Sequence, residues 1–138
     1  RGDIGPCVTA YTNTLGGRVV TMGYVPWRQL GSTAKRQQVL TLADWAAKGR
    51  LPVRIDGAPR TAVLVRSNAD GTKFAAVLLN TSYDETGPVT LRFRMDAPTV
   101  RVLGGRDSIQ LETTHIEGET RCTLSNIPSW NTIMLVGE

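Results

Sequence analysis

A hairpin in the middle of the chain constrains the fold more than any other feature. Residues 61–79, TAVLVRSNADGTKFAAVLL, consist of two runs of β-forming residues joined by Asn68-Ala69-Asp70-Gly71. Side chains along each run alternate between two faces, and Asn, Asp and Gly are the residues that reverse a chain. The stretch therefore predicts two antiparallel strands and a tight turn, which commits this part of the chain to an antiparallel sheet.

The chain beyond residue 60 repeats the same pattern of short strand and polar turn. Turn residues, mainly Gly, Pro and Asp, recur at intervals of about 8–12 residues, which is typical of an antiparallel β-sandwich. We therefore predict a mainly β protein whose residues 51–138 form a β-sandwich domain. The candidate strands after residue 60 are Thr61–Ser67, Lys73–Asn80, Val89–Met95, Thr99–Leu103, Ser108–Thr113, Thr120–Leu124 and Thr132–Val136.

The first 50 residues have a different pattern, which predicts a hairpin followed by one amphipathic helix. Two apolar runs, Ile4–Tyr11 and Arg18–Tyr24, flank a turn that contains Gly16 and Gly17. Residues 34–48 are strong helix formers, with Ser32 or Thr33 available as the N-cap. Gly49 is expected to end the helix in the left-handed conformation. The apolar face of the helix is predicted to contain Val39, Leu42, Ala43 and Ala46.

A hairpin and a single helix are too small to be stable alone. We therefore expect residues 1–50 to pack on the sandwich or on a neighbour outside this chain. Within the sandwich, Val89–Arg94 alternates apolar and polar side chains, so Arg92 and Arg94 should face water. The predicted core consists of Leu64, Val77, Leu79, Leu91, Phe93, Leu124, Ile133 and Leu135.

Composition excludes several classes of protein. Of 138 residues, 41% are hydrophobic and 20% are charged, which is typical of one globular domain, or of one small domain plus a piece of another. The net charge of +4 comes from basic residues that are scattered along the chain, so a mixed-charge surface is expected and no nucleic-acid partner. No apolar run approaches the roughly 20 residues that a membrane-spanning helix needs, so no membrane association is expected.

Two cysteines, Cys7 and Cys122, lie near opposite ends of the chain. A disulfide between them would close a long loop and stabilise the fold by roughly 3–5 kcal/mol, whereas two free buried thiols are the alternative. The sequence leaves both open. With one histidine and no Cys-x-x-Cys motif, a zinc site is not expected, and nothing in the sequence indicates a cofactor.

Residues able to carry catalysis are sparse, and we expect no catalytic site. His115 lies in a polar turn region and no Gly-x-Ser-x-Gly motif is present, so it is interpreted as a surface histidine. The acidic pairs sit in loops, where neighbouring carboxylates rarely face each other across a cleft as glycoside hydrolysis requires. Neither a dinucleotide-binding nor a phosphate-binding glycine motif occurs.

The aromatic residues Tyr24 and Trp27 are the candidates for ligand binding. They follow a strand in a loop that contains Pro26, and exposed aromatic rings are the usual contacts for the C–H faces of sugars. The alternative is that both rings anchor the loop and cover the core. Separately, Asn80-Thr81-Ser82 fits the sequon for N-glycosylation, which matters only in a eukaryotic secretory pathway.

In residues 126–135, NIPSWNTIML, a Pro, a Trp and a small polar residue precede an apolar strand, and residues 76–84, AVLLNTSYD, are followed by Val89-Thr90-Leu91. Further upstream are residues 13–20, NTLGGRVV, and 24–27, YVPW. The first two stretches resemble strands of the β-sandwich at the C-terminus of multidomain bacterial glycoside hydrolases of β-galactosidase type, and residues 126–135 resemble its last strand. The two upstream stretches resemble the last hairpin and loop of the glutamine-amidotransferase-like domain of such enzymes.

The resemblance implies a non-catalytic C-terminal accessory β-sandwich. Its partner would be a catalytic domain of the same parent protein or of another chain. The resemblance assigns no catalytic residue of these enzymes to a position in this chain. A carbohydrate-binding module that uses Tyr24 and Trp27 is the first alternative, and a free-standing interaction or assembly domain is the second. The location of the protein stays open, with an extracytoplasmic one slightly favoured.

Overall fold

The computed structural model describes residues 7–56, 60–104 and 107–138. The chain divides into two compact units, Arg1–Leu51 and Pro52–Glu138. The first contains a hairpin and two helical segments, and the second contains two β-sheets. The first residues of the predicted Ile4–Tyr11 strand, together with residues 57–59 and 105–106, lie outside the described residues.

The hairpin of the first unit pairs β1 (Val8–Thr12) with β2 (Arg18–Met22) in antiparallel register. Its turn is held by Asn13, whose side-chain Oδ1 accepts the backbone N–H groups of Leu15 at 3.0 Å and Gly17 at 2.7 Å. Gly16 has a φ of +77°, a left-handed conformation that glycine adopts without a Cβ penalty. The double glycine thus forms the turn that the sequence predicts.

A 3-10 helix (Pro26–Gln29) and α1 (Thr33–Ala46) complete the first unit. Ser32 occupies the N-cap position, but its side chain makes no capping hydrogen bond. At the other end Gly49 has a φ of +70° and donates its N–H to the Asp44 carbonyl at 2.8 Å, as expected of a C-terminal glycine. In the described ranges, no helix has the length and apolarity to span a bilayer.

The predicted apolar face of α1 is only partly covered. Val39, Leu42 and Ala46 are half-buried, whereas Ala43 is exposed. No residue of α1 is fully buried, and among the described residues of the first unit none is. This unit therefore has no hydrophobic core of its own within the part of the chain that is described.

The second unit is an antiparallel β-sandwich, which confirms the predicted fold class. One sheet has the order β3-β6-β10-β9 and the other β4-β5-β11-β7-β8. The turn between β9 and β10 uses Glu117 and Gly118, both at positive φ. The strands are β3 (Val53–Asp56), β4 (Thr61–Ser67), β5 (Phe74–Asn80), β6 (Val89–Phe93), β7 (Val100–Gly104), β8 (Asp107–Leu111), β9 (Thr113–Ile116), β10 (Glu119–Leu124) and β11 (Thr132–Gly137).

The core lies between the inward faces of the two sheets. Phe93 of β6 and Phe74 of β5 stack across it with their ring centroids 4.2 Å apart. The predicted alternation of β6 is confirmed, because every second residue is buried while Arg94 is exposed and Arg92 forms an ion pair with Asp56 at 2.9 Å on the outward face. The buried apolar residues are Phe74, Ala76, Leu78, Val89, Leu91, Phe93, Ala97, Val100, Cys122, Leu124, Ile127 and Leu135.

The predicted core is wrong for β4 and β5. Leu64 is 74% exposed and Leu79 is 37% exposed, and Val77 is half-buried. The buried face of β5 instead carries Ala76 and Leu78. The error has a simple cause: β5 is apolar on both faces, so a period of two does not indicate which face turns inward. Of the other predicted core residues, Leu91, Phe93, Leu124 and Leu135 are buried and Ile133 is half-buried against them.

Candidate functional site

Tyr24 is occupied by contacts inside the first unit. Its hydroxyl donates a hydrogen bond to Oε1 of Gln38 at 2.8 Å, and the ammonium group of Lys35 lies 4.7 Å from the centre of its ring. The half-buried ring thus has one face covered by a cation and its polar end satisfied. This is the anchoring arrangement that the sequence left as the alternative for this residue.

Trp27 lies in the 3-10 helix and is 73% exposed. Its ring is accessible, but within the described ranges no ring contact joins it to Tyr24. The two candidates from the sequence are therefore not combined into one aromatic surface. Trp27 remains a candidate as a single exposed ring.

The sandwich contains a pair of exposed aromatic residues that the sequence analysis missed as a site. The rings of Tyr83 and Trp130 lie 5.6 Å apart at an interplanar angle of 77°. Tyr83 is 82% exposed and Trp130 is 59% exposed. We call this pair the aromatic corner, because the two exposed rings meet at nearly a right angle.

Trp130 has an unusual backbone conformation. Its φ of +53° lies in the left-handed region, which a residue with a Cβ adopts at a cost of roughly 1–2 kcal/mol. Asn131 donates its backbone N–H to the carbonyl of Pro128 at 3.3 Å, so Trp130 is the third residue of a tight turn. That position of a turn with positive φ normally holds Gly or Asn.

One buried side chain holds the two loops of the aromatic corner together. Asn80 is fully buried, and its Nδ2 donates to the carbonyls of Asp84 at 2.8 Å, Ile127 at 3.1 Å and Pro128 at 3.1 Å. The first of these carbonyls follows Tyr83, and the last opens the turn of Trp130. The burial also means that the sequon at Asn80 is closed to a glycosyltransferase in the folded protein.

Three more hydrogen bonds join the same loops. Ile127 donates its N–H to Oγ1 of Thr86 at 2.9 Å, and Thr86 donates its N–H to the carbonyl of Ile127 at 3.1 Å. Nδ2 of Asn126 donates to the carboxylate of Glu85 at 2.7 Å at the exposed rim. The segments 80–87 and 125–131 contain Asp84 and Glu85 but no Lys or Arg. Arg60 lies beside them, because its carbonyl accepts the N–H of Thr81 at 3.0 Å and the hydroxyl of Thr81 at 2.7 Å.

His115 is a partly exposed residue, as predicted. Its Nδ1 lies 3.4 Å from the carboxylate of Asp96 and 3.3 Å from Oγ1 of Thr120. The Thr120 hydroxyl donates to the carbonyl of Met95 at 2.6 Å and accepts the N–H of Ala97 at 3.1 Å. The hydroxyl proton of Thr120 is donated to the Met95 carbonyl and is therefore not available to His115. These contacts fit a structural role, in which Thr120 of β10 is connected to the loop that contains Met95 and Ala97. In the described part of the chain, no three potential metal ligands are grouped.

The two cysteines do not form a disulfide. Cys7 is exposed and Cys122 is buried in the core. Burial raises the pKa of the Cys122 thiol from 9.0 to about 11, because a thiolate is poorly solvated there. Of the two alternatives left open by the sequence, the thiols are free, and only that of Cys122 is buried.

The outward face of the five-stranded sheet carries a row of apolar side chains. Leu64 pairs with Val77 across β4 and β5, Val77 pairs with Met134 of β11, and Met134 pairs with Leu103 of β7. Leu64 is 74%, Met134 43% and Leu103 44% exposed. Paired residues share one face and lie about 5 Å apart. We call these four residues the apolar row.

Comparison with solved structures gives one match of the same fold. The chain is similar to alpha-L-fucosidase isoenzyme 2 from Paenibacillus thiaminolyticus, with a TM-score of 0.64 and 14% sequence identity. The match covers 97% of this chain and 22% of that chain, so this chain spans about a fifth of the length of the protein it resembles. No protein-family model matches the chain, and no curated protein sequence does.

At this level of identity the similarity concerns the fold. The chain has a fold that also occurs within a glycoside hydrolase, as the sequence resemblance predicted in its general form. The more specific prediction, a β-galactosidase-type parent, stays a prediction.

Proposed function

We propose that the chain is a non-catalytic accessory β-sandwich of a glycoside hydrolase, supporting a catalytic domain that lies elsewhere in the same polypeptide or on another chain. The observation that carries the proposal is the structural similarity to an alpha-L-fucosidase, which extends over 97% of this chain and only 22% of that one. A module of this fold occupying a minor part of a hydrolase is consistent with a supporting role.

The exposure of the apolar row supports this proposal. Monomeric soluble proteins rarely expose large contiguous apolar patches, and such patches mark contact surfaces. Arg66 and Arg101 lie on the same face, each two residues along its strand from an end residue of the row, and the strand register places both on one side of the row. Arg101 pairs with Glu138 at 3.4 Å. The complementary surface on the catalytic domain would be an apolar strip with a carboxylate on one side, which would face the guanidinium group of Arg66.

The proposal is tested on the native polypeptide that carries this sequence. Antibodies raised against the purified chain would be used to precipitate that polypeptide from the cells that produce it. The precipitate would be assayed with aryl α-L-fucosides, as in the name of the matched enzyme, and with aryl β-galactosides, as the motif resemblance suggests. We expect glycosidase activity in the precipitate and a polypeptide or complex much larger than the 15.0 kDa of this chain.

The purified chain is the control, and we expect it to hydrolyse none of these substrates. A precipitate that contains only a 15 kDa polypeptide without glycosidase activity would overturn the proposal and favour the free-standing interaction domain. Hydrolysis by the purified chain itself would overturn the non-catalytic assignment.

A further inference from the structure

We propose that the aromatic corner formed by Tyr83 and Trp130 is a carbohydrate-binding site, which takes a neutral sugar ring against its aromatic faces. The site lies on the loops at one end of the sandwich and not on the apolar row, so it is independent of the proposed docking of a catalytic domain. It also differs from Tyr24 and Trp27, the aromatic candidates from the sequence.

The first argument is the exposure of both rings. Aromatic side chains contribute most to a fold when they are buried. Tyr83 and Trp130 are 82% and 59% exposed and contact each other instead of the core. In their edge-to-face arrangement more than half of each residue remains exposed to solvent. Packing of the sandwich therefore does not account for the choice of two large rings here.

The second argument is the backbone of Trp130. A glycine at this turn position would adopt a φ of +53° without strain, whereas this conformation is unfavourable for tryptophan because of its Cβ. Strained residues of this kind persist where the surrounding structure over-determines them, and they cluster at ligand sites. The strain places an indole ring beside Tyr83 at a position where stability alone would favour glycine.

The third argument is preorganisation. Asn80 connects both loops through its three donated hydrogen bonds, and it is itself fully buried. Thr86 and Ile127 add a second pair of bonds between the loops. The corner is thus fixed before a ligand arrives, and a ligand does not have to order the loops, which lowers the cost of binding.

The charges around the aromatic corner favour a neutral saccharide over a nucleic acid as the ligand. Single-stranded nucleic acids also stack on aromatic rings, but such sites are lined with Lys and Arg that face the phosphates. Here the two loops carry Asp84 and Glu85 and no basic residue, and Arg60, whose carbonyl accepts the N–H of Thr81, adds one positive charge beside these two negative ones. The Glu85 carboxylate and the Asn126 amide, 2.7 Å apart, are instead groups that accept from and donate to hydroxyls. A neutral saccharide has both an apolar C–H face and a rim of hydroxyls.

The experiment is a binding measurement on the full chain against a glycan array of neutral oligosaccharides, followed by titration calorimetry with the best binder. Trp130→Gly is the informative variant, because it removes the ring and relieves the strained backbone. We expect it to weaken binding by about tenfold or more, as loss of a central aromatic contact does, while its unfolding midpoint equals or exceeds that of the parent chain. Tyr83→Ala should weaken binding as well.

Trp27→Ala is the matched control, since Trp27 is the other tryptophan that is mostly exposed. It should leave binding unchanged. Loss of binding in Trp27→Ala with retention in Trp130→Gly would move the site to the first unit and overturn the proposal. The proposal would also fail if no neutral glycan on the array bound, or if a proline-rich peptide and no glycan bound at Trp130.

Discussion

The two units of this chain reach order by different means. The sandwich, Pro52–Glu138, has a closed core in which Phe74 stacks on Phe93 between two sheets. The described residues of the first unit contain no fully buried side chain, and this unit is held by its hairpin turn and by surface contacts such as Arg18 over the ring of Trp45 at 5.0 Å. Secondary structure alone therefore does not indicate how a region is stabilised.

This difference predicts how each unit responds to substitution. Loss of a core side chain costs both its transfer free energy and a cavity, whereas a half-buried side chain loses little because water fills its place. The sandwich should be sensitive at a few interior positions and tolerant on its surface. The first unit should be moderately tolerant everywhere.

The largest expected effect comes from Phe93→Ala. Removing this fully buried ring should lower the free energy of unfolding of the sandwich by about 3–5 kcal/mol. Leu42→Ala in α1, where the leucine is half-buried and alanine is the best helix former, should cost less than about 1 kcal/mol. Urea unfolding and amide hydrogen exchange resolved by residue would measure both. Equal effects of the two variants would contradict the comparison.

The second effect is in thiol reactivity. Since burial raises the pKa of Cys122 to about 11, its thiolate fraction at pH 8 should be about 100-fold below that of an ordinary thiol. We expect a disulfide reagent to label exposed Cys7 rapidly and Cys122 only after urea is added. Rapid labelling of both thiols in the native chain would mean that the core opens readily.

The same pKa shift fixes the direction of a pH effect. The folded thiol has a higher pKa than the unfolded one, so its contribution to stability is complete below pH 9.0 and is lost as the pH rises towards about 11. A Cys122→Ala variant should remove this part of the pH dependence of the urea midpoint, while Cys7→Ala should leave it unchanged.

A third, smaller effect is expected at Gly137. A Cβ added there would overlap the ring of Phe74, which is buried and stacked on Phe93. Gly137→Ala should therefore destabilise the sandwich by about 1–3 kcal/mol, as overpacking of a core does. Gly104→Ala is the matched control on the same sheet, because a Cβ there meets nothing within 4 Å. A thermal midpoint of Gly137→Ala at or above that of the control would show that the ring moves aside at no cost.

The smallest expected changes in the free energy of unfolding come from substitutions of surface charges, and we expect them to be similar in the two units. Asp56→Asn in the sandwich weakens the ion pair with Arg92, whose side chain is 26% exposed, and should cost less than about 1 kcal/mol. Arg18→Met in the first unit removes the contact with Trp45 and a 2.7 Å hydrogen bond to its carbonyl, and about 1 kcal/mol is expected. Unfolding midpoints of both variants measured at low and high salt would separate the electrostatic part of each loss from the part due to packing. A much larger loss for Arg18 would mean that surface contacts support the first unit more than we infer.

The aromatic corner could be predicted from the sequence only in part. Residues 126–135 resemble the last strand of the β-sandwich in multidomain glycoside hydrolases, and Ile127 in this segment is fully buried. Nothing in its local pattern indicates that Trp130 has a positive φ or that it meets Tyr83, 47 positions earlier in the chain. The available signal was a tryptophan between Ser129 and Asn131 in the segment that separates two predicted strands.

The sequence by itself determined what depends on local chemistry: the turn at Gly16-Gly17, the helix that ends near Gly49, the alternation of β6 and the antiparallel sandwich. Tertiary structure decided what depends on partners far along the chain. Which face of β4 and β5 turns inward, and therefore that Leu64 is exposed, follows from sheet packing, since both faces of β5 are apolar. The meeting of Tyr83 with Trp130 likewise depends on Asn80, whose side chain bridges two loops that are distant in sequence.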